Sequence, residues 1–233
     1  MKYIFFDLDG TLLPMVQDDF VRCYYKLLTT KMSKFGVEPK KLIDALNYGA
    51  YQMTNNDGTM TNEERFWICY EKIMGIIKDT YINELNEFYE TEFNEAIVST
   101  KPDPLARKII DVLHDKGYKV VLATSPLFPQ SAIYNRIRWA GLTPEDFVLI
   151  TTYEKYHYCK PNLGYYQEIL DNLNIKQEGY LMIGNDIGED LSAKLAGFRT
   201  YLVTDYIENR ANMSYEPDMK GSLQDLYEYL KQL

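Results

Sequence analysis

Cysteine and histidine are scarce in this chain: three cysteines (Cys23, Cys69, Cys159) and two histidines (His114, His157) among 233 residues. The thiols form no CxxC pair, so neither a disulfide framework nor a zinc knuckle is indicated. Two histidines also argue against a multi-histidine metal centre. Positive charge is in deficit, with a formal net charge of −9. Nucleic-acid surfaces need a surplus of Lys and Arg, so no nucleic-acid partner is expected. A small anionic ligand stays open, because one local cation can dominate a site. No apolar run approaches the ~20 residues that span a bilayer, and Asp7 and Asp9 interrupt any N-terminal stretch resembling an export signal. The expectation is a reduced, cytoplasmic protein with no membrane partner. Monomer and homodimer are not distinguished at this level.

What is present is ordinary in bulk, with 46% hydrophobic and 25% charged residues, as in soluble globular domains. The length suits one large domain or a domain with a sizeable insertion. Residues 2–7, KYIFFD, predict a buried strand of aromatic and β-branched residues. From about Asp18 to Ala96, apolar residues recur at three-and-four spacing and predict a run of helices. Pro39 suits a first helical turn, and Thr61 with Glu64 matches a capping box. After Lys101-Pro102 the pattern alternates, with YKVVLAT, FVLITT, GYLMIG and RTYLVT as strands between helical segments. EDLSAKLAG reads as one of those helices and SLQDLYEYLKQL as the last. Strand–helix alternation of this kind predicts an α/β fold, a doubly wound parallel sheet covered on both faces. The helical stretch is then an all-helical insertion after the first strand. The expected division is a core of residues 1–14 and 101–233 carrying an inserted domain of residues 15–100.

Residues 3–13, YIFFDLDGTLL, raise the chemical question. Were the strand to continue, Asp7 and Asp9 would face the same side, and two unpaired like charges on a buried face are costly. Either the strand ends at Asp7 and the pair lies in a loop, or a cation holds the pair. In open α/β sheets ligands sit at the carboxyl ends of strands. There the sequence offers Asp7 and Asp9, then Thr124 and Ser125, then Lys160, then Asn185, Asp186 and Asp190. Oxygen donors without imidazole or thiolate suit a hard cation, and Mg²⁺ takes a few carboxylates plus water and phosphate oxygens. A lysine and a hydroxyl beside the cation would bind the remaining oxygens of a phosphoryl group. One aspartate can then attack phosphorus while a second moves the proton.

Each element has a plainer reading. DLDG could be a solvated turn, although an EF-hand loop would need Gly where Leu12 stands. Thr124 and Ser125 could cap a helix, Lys160 could be a surface lysine, and Asp186 and Asp190 could be acids favoured at a helix N-terminus. Together and in order, each after a strand, they make a phosphoryl site.

DLDGTLL, LATS, KP and GNDIGED, in that order, resemble the haloacid dehalogenase-like (HAD) hydrolase superfamily, in its phosphatase branch. The helical insertion resembles that superfamily's C1-type cap domain. The resemblance implies Asp7 as the nucleophile that forms an aspartyl-phosphate, and Asp9 as acid/base whose backbone carbonyl also binds Mg²⁺. It implies Thr124 and Lys160 as phosphate-binding and catalytic residues, with Gly10 and Ser125 beside them. Asp186 would be a metal ligand, and Asp190 either a water-mediated ligand or a partner of Lys160. Members that cleave carbon–halogen bonds lack an aspartate at the position of Asp9. The implied activity is Mg²⁺-dependent hydrolysis of a small phosphorylated metabolite. The rivals are a phosphotransferase or sugar-phosphate mutase of the same fold, and a catalytically silent binding member. Substrate selection would fall to the insertion, with Met15 to Phe20 and the stretch NNDGTMTNEERF as candidates. Arg136 and Arg138 read as solvated or paired with acids, and His157 and Cys159 as bystanders.

Overall fold

Tyr-Ile-Phe-Phe is apolar on both strand faces, which commits it to the middle of a covered sheet. In the computed structural model, which describes residues 3–176, 179–210 and 212–233, strand β1 (Tyr3–Phe6) lies at the centre of a six-stranded sheet. The order is β3-β2-β1-β4-β5-β6, all parallel. The other strands are β2 (Lys119–Leu122), β3 (Leu149–Ile150), β4 (Leu181–Gly184), β5 (Arg199–Val203) and β6 (Met219–Gly221). Lys2, which the sequence pattern assigns to the first strand, lies outside the described residues.

The side-chain period of two divides β1 between two cores. Ile4 and Phe6 point to one face, where helices α5 (Leu105–Asp115), α6 (Gln130–Trp139) and α8 (Leu223–Gln232) contribute Ile109, Ile133 and Leu226. Tyr3 and Phe5 point to the other, against Tyr165, Tyr166 and Ile169 of α7 (Leu163–Asn172). The sheet is therefore covered on both sides, as the alternating pattern predicts. After β3 the chain crosses β1 to build β4, β5 and β6 on the far side. The strand order thus reverses beside β1, and a crevice opens outside the carboxyl ends there.

Between β1 and β2 the chain forms α1 (Gln17–Ser33), α2 (Pro39–Thr54), α3 (Asn62–Met74), α4 (Ile82–Glu90) and a 3₁₀ stretch, Glu92–Ser99. It leaves and returns side by side: Met15 bridges Thr100, and the Lys101 N–H donates to the Pro14 carbonyl at 2.7 Å. Phe20, Tyr24, Leu28, Tyr70 and Phe88 of these helices join the apolar cluster that covers one sheet face. The first amides of α3 lack intrahelical acceptors, and they are satisfied by the sheet side of the molecule. Asn62 N–H donates to the Tyr156 carbonyl at 2.8 Å, and Glu63 N–H to that of Tyr153 at 2.9 Å.

Three expectations are corrected. FVLITT is a strand only at Leu149–Ile150; the Thr151 N–H still donates to the Leu122 carbonyl at 3.1 Å, and beyond it the chain leaves the sheet, with the Thr151 side chain donating to the Thr124 carbonyl at 2.5 Å. EDLSAKLAG is a 3₁₀ helix over Leu191–Ala196, closed by Gly197 at φ +80°. A six-residue segment between an acidic turn and a left-handed glycine is short enough for that tighter winding. A sixth strand, Met-Lys-Gly at the sheet edge, carries no apolar pattern that could announce it.

The Thr61–Glu64 capping box is present, with Thr61 N–H donating to Glu64 Oε2 at 2.8 Å and Glu64 N–H to Thr61 Oγ1 at 3.2 Å. Thr61→Ala is expected to lower the unfolding free energy by about 1 kcal/mol. Equilibrium denaturation checks this, and an unchanged midpoint would show that the box is not stabilising α3.

Candidate active site

The Asp7 N–H donates to the Ile183 carbonyl at 2.8 Å, which extends the ladder by one residue beyond β1 and fixes the Asp7 backbone. The chain then turns: Gly10 N–H donates to the Leu13 carbonyl and Leu13 N–H to that of Leu8. Gly10 has φ +79°, and a Cβ there would lie 2.3 Å from Asn185 Nδ2, so both conformation and space demand glycine. Asp7 and Asp9 are therefore not consecutive positions on one strand face. Each is held by its own cation.

Asp7 is held by Lys160, which is 2% exposed; its Nζ donates to Asp7 Oδ1 at 2.8 Å and to Asp190 Oδ1 at 2.6 Å. Asp190, 1% exposed, accepts with its other oxygen from the Asp186 N–H at 2.9 Å. A Cβ on Gly184 would come within 2.0 Å of Asp190 Oδ2, so the bare backbone of β4 is what admits this carboxylate. Burial pushes Asp7 up to about 6 and Asp190 up to about 7, with Lys160 opposing both. Burial also disfavours the Lys160 charge, but Asp190 and Asp7 outweigh it and hold the ammonium well above its usual value. Asp190 is thus the partner of Lys160, one of the two roles that the resemblance left open.

Asp9 is held by Arg136, whose Nη1 contacts Asp9 Oδ2 in an ion pair 1% exposed on the arginine side. The guanidinium also sits 4.5 Å from the Phe128 ring centre and 5.6 Å from that of Phe20, a desolvated cation–π position. Asp9 Oδ1 and Arg136 Nη2 are buried without partners. Burial raises Asp9, against the pull of Arg136 and Lys160. Of the two readings of Arg136, solvated or paired with acids, the structure shows the second: it pairs with Asp9 from the buried stripe of α6, beside Ala132, Ile133 and Ile137. The helical period that marks those apolar neighbours carries position 136 to the same face.

After β2, Thr124 is buried, and its carbonyl accepts from Thr151 Oγ1 and, at 3.0 Å, from the Tyr165 hydroxyl. Ser125 Oγ donates to Glu189 Oε2 at 2.7 Å, and burial pushes Glu189 up to about 7. Glu189 escaped the sequence reading because it lies between two acids already assigned. Asp186 Oδ1 accepts from the amides of Gly188 and Glu189 at 2.7 and 2.9 Å, winding the turn that delivers Asp190. His157 pairs with Glu168 at 2.6 Å, and Cys159 is a buried thiol pushed up by desolvation.

Asp7, Asp9, Gly10, Thr124, Ser125, Lys160, Asp186 and Asp190 all line one cavity of about 240 Å³. Its wall holds six acidic side chains against three basic ones, an excess of three carboxylates. Among the described residues no three Asp, Glu, His or Cys side chains form a ready-made metal cage. An oxygen-rich, over-acidic wall with the buried, unpartnered Asp9 Oδ1 fits a hard cation that completes its shell with backbone, water or ligand oxygens. Of the candidate selectivity segments, Met15 and Gln17 reach this cavity. Asn56 and Asn62 are instead tied into the interior, with Asn56 Nδ2 donating to Asn62 Oδ1 at 2.9 Å.

The profile of a family described as haloacid dehalogenase-like hydrolase matches residues 4–203. No curated protein sequence matches the chain. Among solved structures, a 2-haloacid dehalogenase from Pseudomonas syringae pv. Tomato superposes with a TM-score of 0.62 at 17% identity, covering 100% of this chain and 99% of that one. A HAD phosphatase from Thermococcus onnurineus gives 0.60 at 17% identity, covering 99% and 98%. A magnesium-bound protein from Bacillus subtilis, assigned as the HAD-hydrolase YfnB, gives 0.58 at 21%, covering 98% of each chain. At these identities the likeness speaks for the fold.

The buried Asp9–Arg136 pair generates a stability prediction. Arg136→Met leaves Asp9 charged and unpaired in the interior and is expected to cost about 3–5 kcal/mol, with Asp9→Asn in the same chain recovering part of it. Chemical denaturation of the single and double variants measures both. A single-variant loss below about 1 kcal/mol would mean that the pair is effectively solvated.

Proposed function

Given that the chain belongs to the haloacid dehalogenase-like hydrolase family, we propose that it is a Mg²⁺-dependent phosphatase of small phosphorylated metabolites, working through an aspartyl-phosphate on Asp7. One observation carries the reading: Asp7 ends the central strand, anchored to a buried lysine, with a second aspartate in the same cavity. By the resemblance, carbon–halogen cleavage would leave the position of Asp9 without an aspartate, so its presence favours phosphoryl chemistry over dehalogenation.

In this reading the phosphoryl group of the ester lies against Lys160 and the Thr124 and Ser125 hydroxyls. An Asp7 oxygen attacks phosphorus, the bond to the alcohol breaks, and Asp9 gives its proton to the departing oxygen. Asp9 then takes a proton from water, which attacks the aspartyl-phosphate and restores Asp7. Burial raises Asp9 and so favours the proton that it would give, while Arg136 opposes that shift. Arg136 also fixes the carboxylate's position. Lys160 keeps Asp7 ionised in spite of burial, and Asp190 keeps Lys160 in place.

The Asp7 and Asp186 carboxylates, with the Asp9 backbone carbonyl, would hold Mg²⁺. When bound it supplies neutralisation of the charge on the transferring phosphoryl group. The magnesium-bound Bacillus subtilis relative supports this choice. Residues 15–100 would form a C1-type cap over a core of residues 1–14 and 101–233, a division supported by the paired crossings at Met15 and Thr100. Three free thiols suit the cytoplasm.

Phosphate release from a panel of phosphorylated metabolites tests the reading. Asp7→Asn is expected to lower turnover by about a thousandfold or more while the thermal melt stays cooperative. Chelation by EDTA should abolish activity, Mg²⁺ restore it, and Ca²⁺ inhibit, since a larger ion with more ligands can tie up both Asp7 oxygens. Near-native activity of Asp7→Asn, or full activity without metal, would contradict the mechanism.

A further inference from the structure

A second cavity, about 320 Å³, opens among the inserted helices and meets the catalytic one at Gln17, Leu127, Phe128 and Arg210, which line both. Its wall is dominated by rings, among them Tyr24, Phe66, Trp67, Tyr70, Tyr89 and Tyr153. Protein interiors are close-packed, with few voids larger than a water molecule. A space of this size between bulky side chains, continuous with a reaction site, is shaped for a ligand.

The lining also says what kind of ligand. Among the described residues, Arg210 is the one charged group on this wall; it stands at the shared rim, half exposed, paired with Asp18 at 2.6 Å and Glu208 at 3.3 Å. Burial raises the Tyr24, Tyr70 and Tyr89 hydroxyls, so these side chains stay neutral. Away from that rim, a carboxylate, ammonium or second phosphate would be desolvated without a partner. A sugar would bury several hydroxyls against a wall made mostly of rings and aliphatic side chains. Tyr24 and Tyr89 hydroxyls bond each other at 2.8 Å, and the Tyr25 hydroxyl donates to Asn47 at 2.6 Å. Two groups on this wall are different: Tyr70, 1% exposed, has a hydroxyl without a partner, and the Trp67 Nε1 is likewise buried and unpartnered. Size adds a bound: an engineered cavity of about 150 Å³ in another protein takes one benzene, so this space suits about two fused rings.

We infer that the alcohol part of the substrate is neutral and aromatic, about two rings in size, and that it sits in this ring-lined cavity with one polar atom reaching the Tyr70 hydroxyl while its phosphoryl group lies against Lys160. The inference rests on the phosphatase reading of the Asp7 site and narrows its substrate class.

The test compares two phosphate esters of primary alcohols, 2-naphthylmethyl phosphate and glycerol 3-phosphate, so that leaving-group basicity does not decide the outcome. The naphthylmethyl ester is expected to show a kcat/KM about a hundredfold higher, on the scale set by burying an aromatic surface of that size. Ala50→Phe, which fills the cavity from α2, should bring the ratio of the two esters toward one. Should that variant fail to fold, calorimetry on the native protein compares 2-naphthylmethylphosphonate with methylphosphonate, and the naphthyl compound should bind more tightly. Equal or better use of glycerol 3-phosphate, or equal binding of the two phosphonates, overturns the aromatic assignment and leaves the phosphatase reading intact. Hydrolysis of no ester at all overturns that reading, and the inference with it.

Discussion

A lysine ammonium 2% exposed must be neutralised from inside the fold, because an unpaired charge there costs more than a domain's net stability can absorb. Lys160 is neutralised twice, by Asp7 from the end of β1 and by Asp190 from the turn after β4. Much of the nearby structure follows from that arrangement. Gly184 lacks a side chain where the Asp190 carboxylate passes, and the Asp186 amide holds that carboxylate's second oxygen. Asp7 is in turn fixed by the ladder bond to Ile183. One positive charge between two carboxylates leaves the cluster net negative, which suits a proposed metal site that must attract a cation, while Lys160 opposes the burial that would protonate Asp7.

Arg136 does for Asp9 what Lys160 does for Asp7, by other means. Its guanidinium is flanked by Phe128 and Phe20 and pairs with Asp9, whereas Lys160 pairs with Asp7 and Asp190. Two aspartates one residue apart thus acquire different surroundings, and the division of labour proposed for them needs that difference. Phe128 has a second part, since it also lines the ring-walled cavity. The polar and apolar halves of the proposed substrate site therefore share a wall.

The central sheet was legible because its cause is local. YIFF, KVVL and LMIG are apolar on both faces, and residues buried on both faces make parallel strands. The strand-end groups were legible for the same reason: once the strands are placed, Asp7, Thr124, Lys160 and Asp190 follow each in turn. What was not legible depends on partners distant in sequence. That Arg136 pairs with an acid was one of two readings open in the sequence, but which acid was not, because its partner lies 127 positions away. Met219–Gly221 is a three-residue edge strand whose pairing with β5 leaves no alternating side-chain pattern to read. The ring-lined cavity is assembled from several helices and the loop after β2, so no single segment reveals it. The chain carries 21 tyrosines, but nothing in their spacing announces an arrangement around a void.

The central claim is that Asp7, held ionised by Lys160, carries the phosphoryl group between alcohol and water. The direct measurement is acid quenching during turnover, borohydride reduction, and peptide mass spectrometry, since reduction converts an aspartyl-phosphate to homoserine. Substrate-dependent conversion at Asp7, and at no other carboxylate, is the predicted result. Phosphate release with no conversion at Asp7, or with conversion at a different residue, would contradict it.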